Sequence, residues 1–478
     1  MRLYLINPFN PLVSLADTQK SWWNRFRVWK PLGLLVLAAL TPDEWEITVF
    51  DENLGVPDYA SLPKPDLVGV TAFTSQANRA YAVADEFRDR GVSVVIGGIH
   101  ATMCEEEAKQ HVDSIVTGEA ESVWDTVLED AKLGQLKAHY TGEHLDMAEV
   151  PAARHDLLPT GYVFGSIQTT RGCPLDCTFC SVSAFNGKAY RHRPIDDVIA
   201  EMRTIREKRV LVVDDNLIGT SRVHIERAKD LFRAIIKAKL KKSWVAQVTI
   251  NMADDDELLA LAAKAGCHGV FIGFESPTDE GLVELGKRFN MLKERDFKAS
   301  VKRIHRHGIL VVGSLILGLD SDKVGIGGRI ADAAKHYGVD MLNALFLTPL
   351  PGTRLWHQME SEDRIAANNF PGDWQYYTLG FPTSHYKNFS WPEIMAEMAI
   401  CNRKFYSRRQ ILWRLIKNFF GRRKPLVAMA SNLSYRNNAL TTEKLYAKMG
   451  MRQGKGCQES HHTSEGTTPV ECEHATTR

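Results

Sequence analysis

Short apolar runs alternating with helix-periodic segments constrain this 478-residue chain more than any other feature of its sequence. Between residues 1 and 150 the runs 3–7, 47–51, 67–72, 93–98 and 114–117 read as strands, and 31–40, 74–90, 103–110 and 122–133 carry helical periodicity. Such alternation predicts a parallel sheet covered by helices on both faces, with ligands bound beyond the carboxyl ends of its strands. An aperiodic stretch at 143–159, with Pro151 and Pro159, precedes a second series with strands at 165–170, 210–214, 244–250, 269–275, 310–317 and 342–348. Six such units are fewer than the eight of a closed barrel, so an open, partial barrel is the expectation. The rhythm stops beyond about residue 365. The chain therefore reads as α/β, with a doubly wound domain over 1–145, a partial barrel over 146–365, a mainly helical region over 366–453 and a polar, disordered tail over 454–478.

Bulk properties exclude several functions. A net charge of +1 leaves no global field toward nucleic acid, and none is expected as a partner. The longest apolar stretch, 31–40, falls short of a membrane span, and residues 1–7 read as a strand rather than an export signal. A cytoplasmic chain with reduced thiols follows. Of its eight cysteines, Cys104, Cys267, Cys401, Cys457 and Cys472 are scattered, and three are packed together.

Those three stand in Arg171-Gly172-Cys173-Pro174-Leu175-Asp176-Cys177-Thr178-Phe179-Cys180, on the loop leaving a predicted strand. A tight loop can turn three thiolates toward one centre of soft iron or zinc. Three ligands are one short of a closed structural zinc site, and the nearest further candidate is His192. Three thiolates on a four-iron cluster leave one iron open to a reacting ligand. Gln247, Thr249 and Asn251 alternate along the third strand of this series, and face the barrel interior if that strand is regular.

The Cys173-x3-Cys177-x2-Cys180 motif, with Phe179 before its last cysteine, resembles the signature of radical SAM enzymes. That resemblance implies a [4Fe–4S] cluster on Cys173, Cys177 and Cys180, chelating S-adenosylmethionine and cleaving it reductively to a 5′-deoxyadenosyl radical. It further implies cofactor contacts from Phe179, from Asp214-Asp215-Asn216 after the second strand, from Gln247, from Glu275 after the fourth and from Ser314 in Gly313-Ser314-Leu315-Ile316-Leu317-Gly318. The usual Gly-Gly-Glu-like turn is replaced here by acids at Asp214 and Asp215. An electron donor such as flavodoxin or ferredoxin is implied as a partner.

The preceding domain resembles the Rossmann- or flavodoxin-like cobalamin-binding half of the B12-dependent radical SAM class. The likeness rests on Val94-Val95-Ile96-Gly97-Gly98-Ile99-His100-Ala101-Thr102, on Val116-Thr117-Gly118-Glu119-Ala120-Glu121 and on Trp29-Lys30-Pro31-Leu32-Gly33-Leu34-Leu35, and spans about residues 1–355 in all. It implies cobalamin contacts from Asn53, Thr74, Ser75, Gly97, Gly98, Gly118 and Glu119. The Asp-x-His-x-x-Gly motif of the classical fold is missing. Asp51-Glu52-Asn53-Leu54-Gly55 has Asn in place of His, which implies water or nothing below the cobalt; His100 offers itself as a substitute ligand, but a histidine after a Gly-Gly strand end reads rather as a turn or surface residue.

The class implies that one S-adenosylmethionine methylates the cobalamin while a second supplies the radical that activates an unreactive carbon. Methylation of such a carbon is the leading expectation. Cyclisation of the tetrapyrrole-cyclase type is the alternative, and a non-catalytic B12 sensor the third. The segment 403–424 carries nine Lys and Arg, no acid and interleaved aromatic and aliphatic residues. It reads equally as a helix resting on anionic lipid, with Trp22-Trp23-Asn24-Arg25-Phe26-Arg27 beside it, and as one packed on the barrel with solvated arginines. The lipid reading suits an isoprenoid lipid or a tetrapyrrole as substrate.

Overall fold

The computed structural model describes residues 1–10, 12, 29–158, 160–421 and 424–456. Its first sheet contains β1 (Arg2–Asn7), β2 (Glu46–Asp51), β3 (Leu67–Thr71), β4 (Ser93–Gly97), β5 (Ser114–Thr117) and β6 (His139–Thr141). The strand order is β2-β1-β3-β4-β5-β6, and every neighbouring pair is parallel. Successive side chains of β1 point to opposite faces. Leu3 and Leu5 pack with Leu35 and Trp124, whereas Tyr4 and Ile6 pack with Ala84 and Phe87. Burial on both faces is why these strands are near-continuous apolar runs. All strands run the same way, but the order in which they are added reverses between β1 and β3, and that switch point leaves a crevice at the strands' carboxyl ends.

The second half holds β7 (Phe164–Ile167), β8 (Thr170–Arg171), β9 (Arg191–His192), β10 (Arg209–Val212), β11 (Ser243–Val248), β12 (Cys267–Glu275), β13 (Leu310–Leu317) and β14 (Met341–Phe346). Six of these form an open parallel sheet in the order β7-β10-β11-β12-β13-β14, the expected partial barrel, while β8 and β9 pair antiparallel as a separate clip. Helices follow to Gly456, and among the described residues none is long and apolar enough to cross a membrane.

Four local expectations change. The strand read as 165–170 ends at Ile167, and Thr170 and Arg171 pair with His192 and Arg191 instead. The strand read as 244–250 ends at Val248, where a 3-10 turn over Ile250–Asp254 begins, so Asn251 does not continue its alternation. The helix read as 103–110 breaks at Cys104. The single basic helix read at 403–424 is two, Trp391–Phe405 and Arg408–Phe420, split at Tyr406. Trp22-Trp23-Asn24-Arg25-Phe26-Arg27, Pro159, Arg422, Arg423, Cys457, Cys472 and the tail from 457 lie outside the described residues.

Candidate active site

Gly172 carries β8 into the cysteine loop. Its φ is +85°, and a Cβ there would lie 2.1 Å from the Ala189 carbonyl oxygen, so a side chain does not fit. Its N–H donates to Asp215 Oδ2 at 2.7 Å. Further along the loop, Thr178 N–H donates to the Leu285 carbonyl at 3.2 Å, and Arg354 donates to the Asp176 carbonyl at 2.7 Å. Cys177 is buried, Cys173 and Cys180 half-buried. Burial pushes all three thiols up, Cys180 to about 12, while the Lys287 charge pulls each down. The thiols also raise one another: Cys173 acts on Cys177, and both act on Cys180. They share one neighbourhood without converging. Among the described residues no three His, Cys, Asp or Glu gather closely enough to hold a single metal ion.

The three polar residues after β10 support this loop from below. Thr169 donates to the Asp214 carboxylate through its N–H at 2.5 Å and its hydroxyl at 2.6 Å, which engages both oxygens. Asp215 holds Gly172 and accepts from Asn186 Nδ2 at 3.0 Å. Asn216 hydrogen-bonds the Thr249 hydroxyl at 3.3 Å. Across the barrel, Gln247 stands exposed between buried Ala246 and Val248. Thr249 and Asn251 are buried against the Gly219 carbonyl, at 3.2 and 3.3 Å. Ser314 lies in register with Gly273 on one side and Asn343 on the other. Phe179 is half-buried and packs against the main core.

Glu275 adopts a left-handed φ of +66° and forms a buried ion pair with Lys287 Nζ at 3.0 Å. Burial alone lowers the Lys287 pKa. Glu275 and the neighbouring thiols reverse that, so the ammonium form is favoured. Neither Lys287 nor Asn343 was marked by the sequence motifs. Lys287 follows an unremarkable Gly-Lys turn, and its position beside the thiols comes from tertiary packing.

A cavity of about 700 Å³ lies between the carboxyl ends of the two sheets. The first half contributes Asn53, Phe73, Ser75, Gly97, Gly98, Gly118 and Glu119, and the second contributes Arg171, Ser181, Phe185, Asn186 and Asp215. Gly98, at φ +93°, lets the backbone turn where a Cβ would come within 2.8 Å of Thr71 Oγ1. Phe73 and Trp29 line the cavity while 67% and 51% exposed, an apolar surface open to a large flat partner. Thr74 is buried at the start of a 3-10 turn and takes no part in the lining. His100 is no surface residue: it is fully buried, with Nε2 hydrogen-bonded to the Tyr81 hydroxyl at 2.8 Å.

Residues 167–323 match the model of the radical SAM superfamily, and residues 24–128 match that of the B12 binding domain. The chain belongs to the cobalamin-dependent radical SAM enzymes. A bacteriochlorophyllide d C-12(1)-methyltransferase of Chlorobaculum tepidum is 29% identical over 408 residues, covering 80% of this chain and 84% of the relative. The hopanoid C-2 methylase of Rhodopseudomonas palustris is 28% identical, covering 70% and 65%. An anaerobic magnesium-protoporphyrin IX monomethyl ester cyclase of Rubrivivax gelatinosus is 23% identical, covering 62% and 59%. The structure of the radical S-adenosylmethionine methyltransferase TsrM of Kitasatospora setae, with cobalamin and a [4Fe–4S] cluster bound, shares the fold. It superposes with a TM-score of 0.61 at 19% identity, covering 78% of this chain and 76% of that one.

The cofactors of such an enzyme are a [4Fe–4S] cluster, S-adenosylmethionine and cobalamin, and the residues present suit them. Three soft, spaced thiols beside a buried ammonium suit an iron–sulfur cluster, which is larger than one ion. The glycine-rimmed cavity with its exposed Phe73 and Trp29 suits a broad macrocycle.

Within this radical SAM enzyme the two halves are tied by buried ions that sequence reading did not connect. Arg171, just before the cysteine loop, pairs with Glu119 at 3.0 Å and Glu121 at 2.8 Å, both from the loop after β5. Arg191 pairs with the same Glu119 and donates to the Leu145 carbonyl at 2.9 Å. Lys30 and Glu207 form a second buried bridge at 2.9 Å. Burial raises the Glu119 pKa, but Arg191, Arg171, His144 and the Leu145 amide outweigh it and hold the carboxyl at about 2. Its carboxylate is thus engaged by the second half of the chain.

Proposed function

We propose that this enzyme transfers a methyl group from S-adenosylmethionine to an unactivated carbon of a hydrophobic small molecule of the tetrapyrrole or isoprenoid type. The observation that carries the reading is the single cavity bounded by the cysteine-loop side of the barrel and by the glycine-rich strand ends of the first sheet. The relatives whose names specify methyl transfer support it. The cyclase relative favours cyclisation as the second reading.

In this proposal Cys173, Cys177 and Cys180 hold the cluster, while Gly97, Gly98, Gly118, Ser75 and Asn53 bound the cobalamin cavity. When bound, these groups supply the electron, the radical and the methyl carrier. The chain's own task is positioning. Asp215 fixes the cysteine loop, and Arg171 ties that loop to the opposite wall. Gln247, Ser314, Asn343 and the Glu275–Lys287 pair offer the polar groups that orient S-adenosylmethionine. A flavodoxin- or ferredoxin-type donor would supply the electron. Asn53, which stands where the classical motif carries His, donates its amide to Asp51 at 2.8 Å.

Incubating the reduced, reconstituted enzyme with methyl-labelled S-adenosylmethionine and candidate tetrapyrrole or isoprenoid acceptors tests the reading. Label in the product supports it, and a modified product without label establishes cyclisation instead.

Two variants probe the frame. Gly172→Ala meets both the left-handed backbone and the 2.1 Å approach to Ala189. It is expected to cost about 2 kcal/mol in urea unfolding of the apo protein and to reduce the iron taken up on reconstitution. Gly33 lines the cavity and has no atom within 4 Å of a would-be Cβ. Gly33→Trp is therefore expected to leave unfolding unchanged and to weaken cobalamin binding at least about tenfold in absorbance titrations; unaltered binding would move the corrinoid away from this wall.

A further inference from the structure

The helix Arg408–Phe420 is amphipathic in the reverse sense. Its inward residues are polar or aliphatic. Arg414 is 4% exposed, donates to Asn432 Oδ1 at 2.8 Å and to the Phe405 carbonyl at 3.0 Å, and lies 4.1 Å over the Phe405 ring. Asn418 is 1% exposed and donates to Asp340 Oδ1 at 3.0 Å. Ile411 completes this face. Leu412, Trp413, Ile416, Phe419 and Phe420 instead point outward, all between 48% and 79% exposed. Their spacing, i, i+1, i+4, i+7 and i+8, makes one continuous stripe. Leu426, on the next helix, adds a further 73%-exposed side chain.

An apolar stripe of this kind in water needs a partner, and the surrounding charge identifies it. The segment 403–424 contains nine Lys and Arg and no acid. Arg403 and Lys404 are paired with Glu443 and Asp332, and Arg414 is buried, but Arg408 and Arg409 make no ion pair among the described residues. Lys417 lies beside the stripe, 4.9 Å over the Trp413 ring. Aromatic residues flanked by cations match the boundary of a bilayer with anionic headgroups. We propose that this face docks the enzyme on an anionic membrane surface, with Trp413, Phe419 and Phe420 entering the headgroup boundary and Arg408 and Arg409 neutralising lipid charge. Asn418 and Asn432 attach the helix to Asp340, just before β14. The docking face therefore lies at the amino ends of the barrel strands, opposite the cysteine loop. It is an anchor rather than an entrance, and docking leaves the cavity open.

The test is co-sedimentation of the full-length reconstituted enzyme with vesicles of phosphatidylcholine alone and with about one third phosphatidylglycerol. Binding is expected only to the anionic vesicles. It should fall at least about tenfold in Trp413→Ser/Phe419→Ser/Phe420→Ser and in Arg408→Glu/Arg409→Glu, with 5′-deoxyadenosine formation unchanged in both. Equal binding to neutral vesicles, or undiminished binding by both variants, overturns the proposal. A wild-type dimer that the Ser variant converts to monomer also overturns it, since the stripe would then be a contact between two copies.

Discussion

Replacing Cys173, Cys177 and Cys180 together by Ala is expected to abolish iron binding and to lower reductive cleavage of S-adenosylmethionine at least about 1,000-fold, while cobalamin binding and the fold persist. The separation of effects follows from the geometry. The loop's course is set by Gly172 against Asp215, Thr178 against Leu285 and Arg354 against Asp176, none of which involves a thiol. The cavity walls supplied by Gly97, Gly98 and Gly118 belong to the other sheet. Only Cys177 is buried, so truncation leaves a small gap rather than a collapsed core. Quantifying 5′-deoxyadenosine beside the bound-cobalamin absorbance reads both halves at once. Wild-type cleavage in the triple variant would remove the loop from the chemistry.

The second large effect lies at the seam between the halves. Glu119→Gln is expected to cost about 3 kcal/mol at pH 7, because it removes a buried carboxylate on which Arg171 and Arg191 both depend. The sign with pH follows from the depressed value of about 2. A carboxyl whose folded pKa lies below its unfolded one contributes stability in full above about pH 4.5, and that contribution is lost as pH falls toward 2. Urea unfolding at pH 7 and pH 3 should therefore show a large acid loss in the wild type and a smaller one in Glu119→Gln. Loss of the clamp also leaves Arg171 held to that wall by Glu121 alone, so S-adenosylmethionine cleavage should fall in the variant even where it remains folded. Equal stability of the two proteins at pH 7 would mean that the ions at this seam contribute nothing net.

What was legible in the sequence was local. The cysteine spacing lies within eight residues, and buried parallel strands such as Leu310–Leu317 declare themselves as unbroken apolar runs. The strand His139–Thr141 escaped because three residues at a sheet edge, only one of them apolar and buried, carry no period. Lys287 and Asn343 escaped for a different reason: each acquires its place from a partner on another element, Glu275 in one case and Ser314 in the other. Glu119 was marked as a cavity residue and does line it, but no sequence pattern shows that Arg171 and Arg191 converge on its carboxylate from 52 and 72 residues away. The basic segment teaches the same lesson in reverse. Its periodicity was plain, yet which face turns inward depended on Asp340 and Asn432 waiting to receive Arg414 and Asn418.

In the proposed chemistry Cys173, Cys177 and Cys180 would grip an iron–sulfur cluster with one iron free for S-adenosylmethionine. Anaerobic reconstitution followed by iron and sulfide analysis, and by electron paramagnetic resonance of the dithionite-reduced protein, addresses it directly. The expected result is about four irons and four sulfides per chain and a reduced-cluster signal that changes shape when S-adenosylmethionine is added. A protein that takes up zinc in place of iron, or whose signal ignores S-adenosylmethionine, would contradict it.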